Sequence, residues 1–396
     1  MSRFVIVCPK GVTTGGPEAL HQLASQIAHH GHDVVFWDSD EVRGSTTAAN
    51  AFSGYEPIWT NVSPQHGDIM VIPEVYGNLI PRFYLECRIV FWWLSVDNFF
   101  GAENISIDVL KHSFPNLVHC YQSDYAREFL EFSEITGALP LSDYINDDFV
   151  RMAERKSDQR STTNSMMIAV NPAKGFERTS KVLNIMNTET VIRLENMSRS
   201  EVVNSLLRAE IYLDLGNHPG KDRIPREAAL LNCIVVTNTR GSAGNQVDVP
   251  IEQEVFKFDD TAAEFEKELI PAINKMIASP EDFLFKQNLY RAKILESKEI
   301  FAQEVEQLLQ VVTVQESTVN TKLDLSESLL IKLVANLLNE RDSAVNERDS
   351  AVNERDISIS KLHQVKNSLS WKVTRPLRLG SLFFKNLYRA SHRQND

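Results

Sequence analysis

The sequence predicts an α/β protein with two doubly wound parallel sheets, followed by a helical stalk and a basic amphipathic tail. Three observations carry this. Short apolar, β-branched runs alternate with helical stretches up to about residue 310, the pattern of βαβ units. A polar stretch at 158–164 interrupts the alternation before a fresh apolar run begins at Met166. Beyond the alternating region, Asn339-Glu-Arg-Asp-Ser-Ala-Val repeats at 346–352, the seven-residue period of a coiled coil.

The first domain, residues 1–160, starts with a complete unit. Phe4–Cys8 reads as a strand, Pro9–Pro17 as a Gly-rich loop, Glu18–His30 as a helix stopped by Gly31, and Asp33–Trp37 as the next strand. Ile69–Ile72, Ile89–Leu94 and Val118–Tyr121 are further strands, each followed by polar or turn residues. The second domain, residues 161–312, holds strands at Met166–Val170, 211–215 and 234–237, and a helical stretch near Asp282–Gln310. Residues 313–362 form the stalk and 363–396 the tail. Within the stalk each repeat supplies only adjacent Ala and Val, a narrow seam, so a weak oligomerising helix and a solvated spacer both fit.

Composition bounds the function. With 396 residues, 43% hydrophobic and 24% charged, the chain is long enough for two cored domains. A net charge of −12 argues against a general nucleic-acid binder, whose affinity comes from phosphate contacts. The charge is segregated: residues 361–396 hold eight Lys/Arg and one Asp, a net +7, leaving −19 for the rest. Cys8, Cys87, Cys120 and Cys233 are widely spaced in or beside apolar runs, without a Cys-x-x-Cys pair or nearby His cluster. They read as small buried hydrophobes in a reducing compartment. The first apolar run reaches Pro9 too soon for a secretory signal, and no stretch is long enough to span a bilayer. An intracellular location is therefore expected. His112 and His119 stand alone and read as structural.

The most informative stretch is 211–241. A buried strand leads into Gly216-Asn-His-Pro-Gly-Lys-Asp222, then a helix beginning near Pro225, then Ile234-Val-Val-Thr. A loop at the carboxyl end of a parallel strand, feeding a helix N-terminus, is where open α/β sheets bind anions. Lys221, Arg223 and Arg226 crowd it, with Glu227 in the first turn. Cations there oppose the helix dipole, so the cluster points to a phosphate site, against the plainer reading of a solvated, capped helix. Gly11-Val-Thr-Thr-Gly-Gly-Pro-Glu18 is a second loop that lets backbone approach a ligand, through Gly15 and Gly16. It matches neither G-x-G-x-x-G nor a P-loop, and a tight turn needing glycine for itself explains it equally. Glu74, Asp97 and Asp124 lie at first-domain strand ends as candidate general bases. Asp97 is preferred because Trp92, Trp93, Phe99 and Phe100 surround it in sequence, although such aromatics are more often core and Asp97 also suits a helix cap.

The order of strand, Gly/Pro loop, Pro225-Arg-Glu-Ala-Ala229 helix, strand and Gly-rich turn resembles the donor-sugar half of GT-B glycosyltransferases. Many of these carry two glutamates eight positions apart. Glu227 matches the second, which in the family holds the nucleotide ribose, whereas Pro219 stands at the first. Lys174, in Asn171-Pro-Ala-Lys-Gly175, matches a lysine that holds the donor diphosphate, and Asn245 lies on the turn that often contacts the donor. The resemblance implies two Rossmann-like domains facing across a cleft, Gly15 and Gly16 turned towards the donor, and a reaction without metal or cofactor.

Ser368-Leu-Ser-Trp-Lys-Val-Thr-Arg-Pro-Leu-Arg378 is similar to a tail found on bacterial surface-polysaccharide glycosyltransferases. Its aromatics and cations suit a membrane interface with anionic lipids; docking onto a protein surface is the alternative. The expectation is a cytoplasmic enzyme, peripheral on the inner face of the bacterial plasma membrane. It would move a sugar from a nucleotide-sugar donor to a glycan or lipid-linked glycan acceptor, with homo-oligomerisation through the stalk. A non-catalytic scaffold and a nucleotide-sugar epimerase are the rival readings.

Overall fold

The computed structural model describes residues 2–38, 52, 55, 58–102, 104–157, 167–173, 175–186 and 191–314. Lys174, the heptad repeat and the basic tail lie outside the described residues, and so does the polar stretch at 158–164.

The first sheet comprises β1 (Arg3–Val7), β2 (Asp33–Trp37), β3 (Trp59–Thr60), β4 (Ile69–Pro73), β5 (Arg88–Trp93), β6 (Val118–Tyr121) and β7 (Leu139–Pro140), in the order β3-β2-β1-β4-β5-β6-β7. The second comprises β8 (Ile168–Val170), β9 (Val191–Arg193), β10 (Ile211–Asp214), β11 (Ile234–Asn238) and β12 (Lys257–Phe258), ordered β12-β11-β10-β8-β9. Every pairing is parallel; Ile211, for example, stands opposite Ile168 on one side and Ile234 on the other. The central strands read as unbroken apolar runs because both faces are covered, as in Phe4–Val7 and Ile234–Val236, all essentially unexposed.

The helices are α1 (Gly15–His29), α2 (Ile80–Phe83), α3 (Val96–Gly101), α4 (Ile107–Ser113), α5 (Asp124–Phe132), α6 (Asp147–Ser157), α7 (Phe176–Met186), α8 (Arg199–Leu206), α9 (Arg223–Leu230), α10 (Gln253–Phe256), α11 (Phe265–Ala278), α12 (Pro280–Lys286) and α13 (Asn288–Val314). Two of them lie on one side of residue 160 in sequence but pack into the core on the other side. Ile145, Phe149 and Ala153, in and just before α6, belong to the core of the second sheet. Phe301, Val305, Leu308 and Val312 of α13 belong to the core of the first. The chain therefore passes to the second core before the polar stretch and returns after it. Amphipathicity shows that such helices must bury a face, but not which sheet receives it.

Sequence order reverses direction between β1 and β4 in the first sheet and between β8 and β10 in the second. Loops leaving the carboxyl ends of such strands splay apart and leave a crevice. The two crevices open on one another.

Cys8, Cys87, Cys120 and Cys233 are free thiols and buried, as their apolar neighbours predict. Burial pushes the Cys87 thiol up to about 12. Among the described residues no helix is long and apolar enough to cross a membrane.

Candidate functional site

A cleft of about 860 Å³ occupies the meeting point of the two crevices. The first domain contributes the β1–α1 loop with Gly15, Gly16 and Glu18, then Glu74 and Tyr76 after β4, and Leu94 and Ser95 after β5. The second contributes Asn171 after β8, Arg199 at the start of α8, Asp214 at the end of β10, the 219–225 loop and Glu227.

The loop between β10 and α9 is shaped from within by a network that spacing alone did not reveal. Asp214, 3% exposed, accepts hydrogen bonds from the Tyr212 hydroxyl at 2.6 Å and the Gly216 N–H at 3.0 Å. His218, equally buried, stands 3.7 Å from Asp214 and 3.0 Å from Asp222. Asp214, His218 and Asp222 lie at a strand end and in a loop, where a spacing of four carries no contact signal, so the sequence held no local mark of the network. Asp222, the N-cap of α9, makes no side-chain cap bond, because its carboxylate is turned to His218.

The three cations of this loop meet different fates. Arg226, 2% exposed, pairs with Asp143 of the first domain at 2.7 Å and donates to the carbonyls of Lys221 and Asp222 at 2.8 and 3.0 Å. It does not line the cleft. Arg223 does, placed 2.5 Å from Glu18 and 3.6 Å from Glu227. Lys221 lines the cleft as well; burial, then the neighbouring Arg226, lowers its pKa. Glu227 faces the cleft with 7% exposure.

Of the candidate bases, Glu74 lies in the cleft wall and is 2% exposed. Its carboxylate accepts the Leu94 N–H at 3.0 Å. Burial nevertheless outweighs that bond and pushes its pKa up to about 8, since a charge in a poorly solvated site is disfavoured. Asp97 is placed otherwise. It accepts from the Tyr125 hydroxyl at 3.1 Å and from Asn217 at 2.6 Å, beside the cleft instead of in its lining. Trp92 and Trp93 are fully buried core residues and Phe99 nearly so, while Phe100 is exposed. Asp124 sits in the first turn of α5, paired with Arg127 at 2.5 Å. His119 is buried and accepts from the Trp93 indole N–H at 3.1 Å; desolvation lowers its pKa to about 4.

Asp97 and Asn245 both belong to a seam that joins the domains. Asn245 donates to Asp124 at 2.8 Å and to Glu128 at 3.3 Å. Asp248 of the second domain accepts the backbone N–H groups of Asp124 and Tyr125 at 2.7 and 2.9 Å, satisfying free donors at the start of α5. The Val96 N–H donates to the Pro219 carbonyl at 3.0 Å. Next to it, a Cβ at Gly220 would lie 2.1 Å from the Leu94 carbonyl oxygen, so only glycine permits this approach. Among the described residues no group of three His, Cys, Asp or Glu side chains is arranged to hold a metal.

No protein-family model matches the sequence, and no curated protein matches it. Solved structures do resemble the fold. Anabaena Alr3699/HepE in complex with UDP-glucose matches with a TM-score of 0.57 at 11% identity, over 78% of this chain and all of that one. WaaG, a glycosyltransferase involved in lipopolysaccharide biosynthesis, gives 0.48 at 13% identity, over 79% and 100%. The catalytic domain of starch synthase IV from Arabidopsis thaliana, bound to ADP and acarbose, gives 0.44 at 9%, over 77% and 99%. The likeness to the first, with the two parallel sheets facing across a cleft, shows the GT-B fold.

Proposed function

We propose that the cleft binds a nucleotide-sugar and that the protein is a glycosyltransferase transferring the sugar to a glycan acceptor. The observation that carries this is the convergence of both switch-point crevices on one cleft, with Glu227, Arg223 and Lys221 at the α9 end of it. A carboxylate there suits the ribose hydroxyls, and cations beside a helix start suit a diphosphate. Lys174 is assigned to the same diphosphate, and Gly15 and Gly16 to the facing backbone. Arg226 is assigned a positioning part, since it ties the loop to Asp143. The UDP-glucose bound by Alr3699/HepE makes a uridine nucleotide the first to test.

For transfer with inversion, an acceptor hydroxyl loses its proton to a carboxylate while its oxygen bonds to the anomeric carbon and the bond to the diphosphate breaks. Glu74 fits this better than Asp97, because it is in the cleft and its pKa lies close to neutrality. Basic residues then stabilise the leaving diphosphate, so no metal enters the proposal. Asn245 and Asp97 act by holding the domains at the seam. The acceptor is proposed to be a lipid-linked bacterial glycan, reached from the cytoplasmic face of the membrane through the basic tail, with the stalk joining copies of the chain.

Pro219 in place of the first family glutamate favours a second reading, a non-catalytic scaffold; its carbonyl is spent on the seam. Turnover decides. UDP-, GDP- and dTDP-sugars are incubated with the full chain, with and without glycolipid extracts, and nucleoside diphosphate release is followed. A transferase releases it in response to acceptor, and Glu74→Gln slows that release. An epimerase converts the donor without acceptor, and a scaffold does neither.

A further inference from the structure

We infer that Arg199 and Arg223 form a diphosphate-binding pair that Glu18 occupies as an internal anion, so that ligand and Glu18 compete for the same two guanidinium groups. This rests on the reading of the cleft as a nucleotide site, and deepens it.

Glu18 belongs to the first domain, in the first turn of α1, and is 3% exposed. One carboxylate oxygen lies 2.9 Å from Arg199 and 2.5 Å from Arg223; the other accepts from Asn146 at 2.7 Å. Arg199 and Arg223 are the first residues of α8 and α9, two helices of the second domain. A cation at the first position of a helix is repelled by its dipole, and here two such cations are turned to one point. An anion between them relieves both, and all three side chains line the cleft.

Glu18 fills that position incompletely. Both terminal nitrogens of Arg223 are buried without a well-formed hydrogen bond, although its side chain is only 10% exposed and ion-paired. A guanidinium presents a planar fork that two oxygens of a phosphate satisfy together. The Arg223 stem is braced against the start of α1, where a Cβ at Gly15 would fall 3.1 Å from its Cδ. A diphosphate carries more charge and more acceptor oxygens than one carboxylate. Its arrival releases Glu18 and with it an ion pair joining the two domains, which couples ligand entry to their separation.

The test is calorimetric titration of inorganic pyrophosphate, UDP and uridine into the full-length wild type, Glu18→Gln, Arg199→Gln and the double variant. Glu18→Gln is expected to tighten pyrophosphate and UDP by about tenfold or more, a change of 1.4 kcal/mol, with uridine unchanged. Arg199→Gln, at a partly exposed position, is expected to weaken both phosphates about tenfold and to cancel the gain in the double variant. If Glu18→Gln leaves pyrophosphate affinity unchanged or weakens it, Glu18 merely orients the arginines and the inference is overturned. Should Glu18→Gln fail to fold, Arg199→Gln alone decides, and unaltered pyrophosphate binding overturns it. Pyrophosphate that behaves as stated while UDP gains nothing over it and uridine does not bind upholds the anion pair and removes the nucleotide reading.

Discussion

Arg223 and Arg226 stand three residues apart on one eight-residue helix, yet they serve opposite ends. Arg226 turns inward to the Asp143 carboxylate and three backbone carbonyls, and its charge is consumed in joining the domains. Arg223 turns to the cleft, between two carboxylates and without well-formed hydrogen bonds. One arginine is fully hydrogen-bonded and holds the structure; the other is buried between carboxylates, with its two terminal nitrogens short of regular hydrogen-bond geometry. The difference comes from the partners that the tertiary fold supplies. Residues 223, 226 and 227 are all helical neighbours, and what separates the two arginines is the carboxylate each meets, Glu18 for Arg223 and Asp143 for Arg226.

The contrast breaks most visibly on the buried pair. Asp143→Ala leaves Arg226 charged and unpaired in the interior, and is expected to cost about 3–5 kcal/mol in chemical denaturation. Arg223→Gln is expected to cost far less stability while weakening phosphate binding; equal losses in both variants would erase the distinction between the two arginines.

The pH dependence of Glu74 comes next. Its folded pKa of about 8 lies above its ordinary value of 4.5, so between those limits the folded protein keeps a proton that the unfolded chain releases. Stability therefore falls as pH rises from 4.5 to about 8, by at most about 1.4 kcal/mol per unit, and levels off above. Glu74→Gln should abolish this slope in denaturation curves recorded from pH 5 to 9. Under the proposed role as base, kcat/KM of the wild type should rise along a limb near pH 8.

Gly220→Ala is expected to cost about 1–3 kcal/mol, as overpacking does, because its Cβ would meet the Leu94 carbonyl oxygen at the seam. Thermal melting measures the loss, and nucleotide binding should weaken with it. The smallest effect belongs to Phe132→Ser. Phe132 is 89% exposed and the change should stay within about 0.5 kcal/mol.

Much of the fold was legible in the chain. Apolar runs such as Phe4–Cys8 and Ile234–Thr237 became central strands, because parallel strands buried on both faces leave an unmistakable pattern. The loop at 216–222 was legible for its glycines and its place after a strand. The crossings of α6 and α13 into the opposite cores were not, since their partners lie far away in sequence. Nor was the division of labour between Arg223 and Arg226, which depends on Glu18 and Asp143, partners far away in sequence. The sequence marks Glu18 only as the end of a Gly-rich loop and the start of a helix. Its partners, Arg199 and Arg223, are more than 180 positions distant, and a contact at that separation leaves no local signature. Glu74 was recognisable as a strand-end carboxylate, but its burial, and the raised pKa that burial produces against the lowering effect of the Leu94 N–H, come from the packed strands around it.

The most direct test is calorimetric titration of UDP into the wild type and Glu227→Ala. The account predicts binding to the wild type and a loss of about 1.5–3 kcal/mol in the variant, the worth of a charge-assisted hydrogen bond. Failure of UDP, GDP and dTDP alike to bind the wild type at millimolar concentration, or binding that Glu227→Ala leaves untouched, would contradict it.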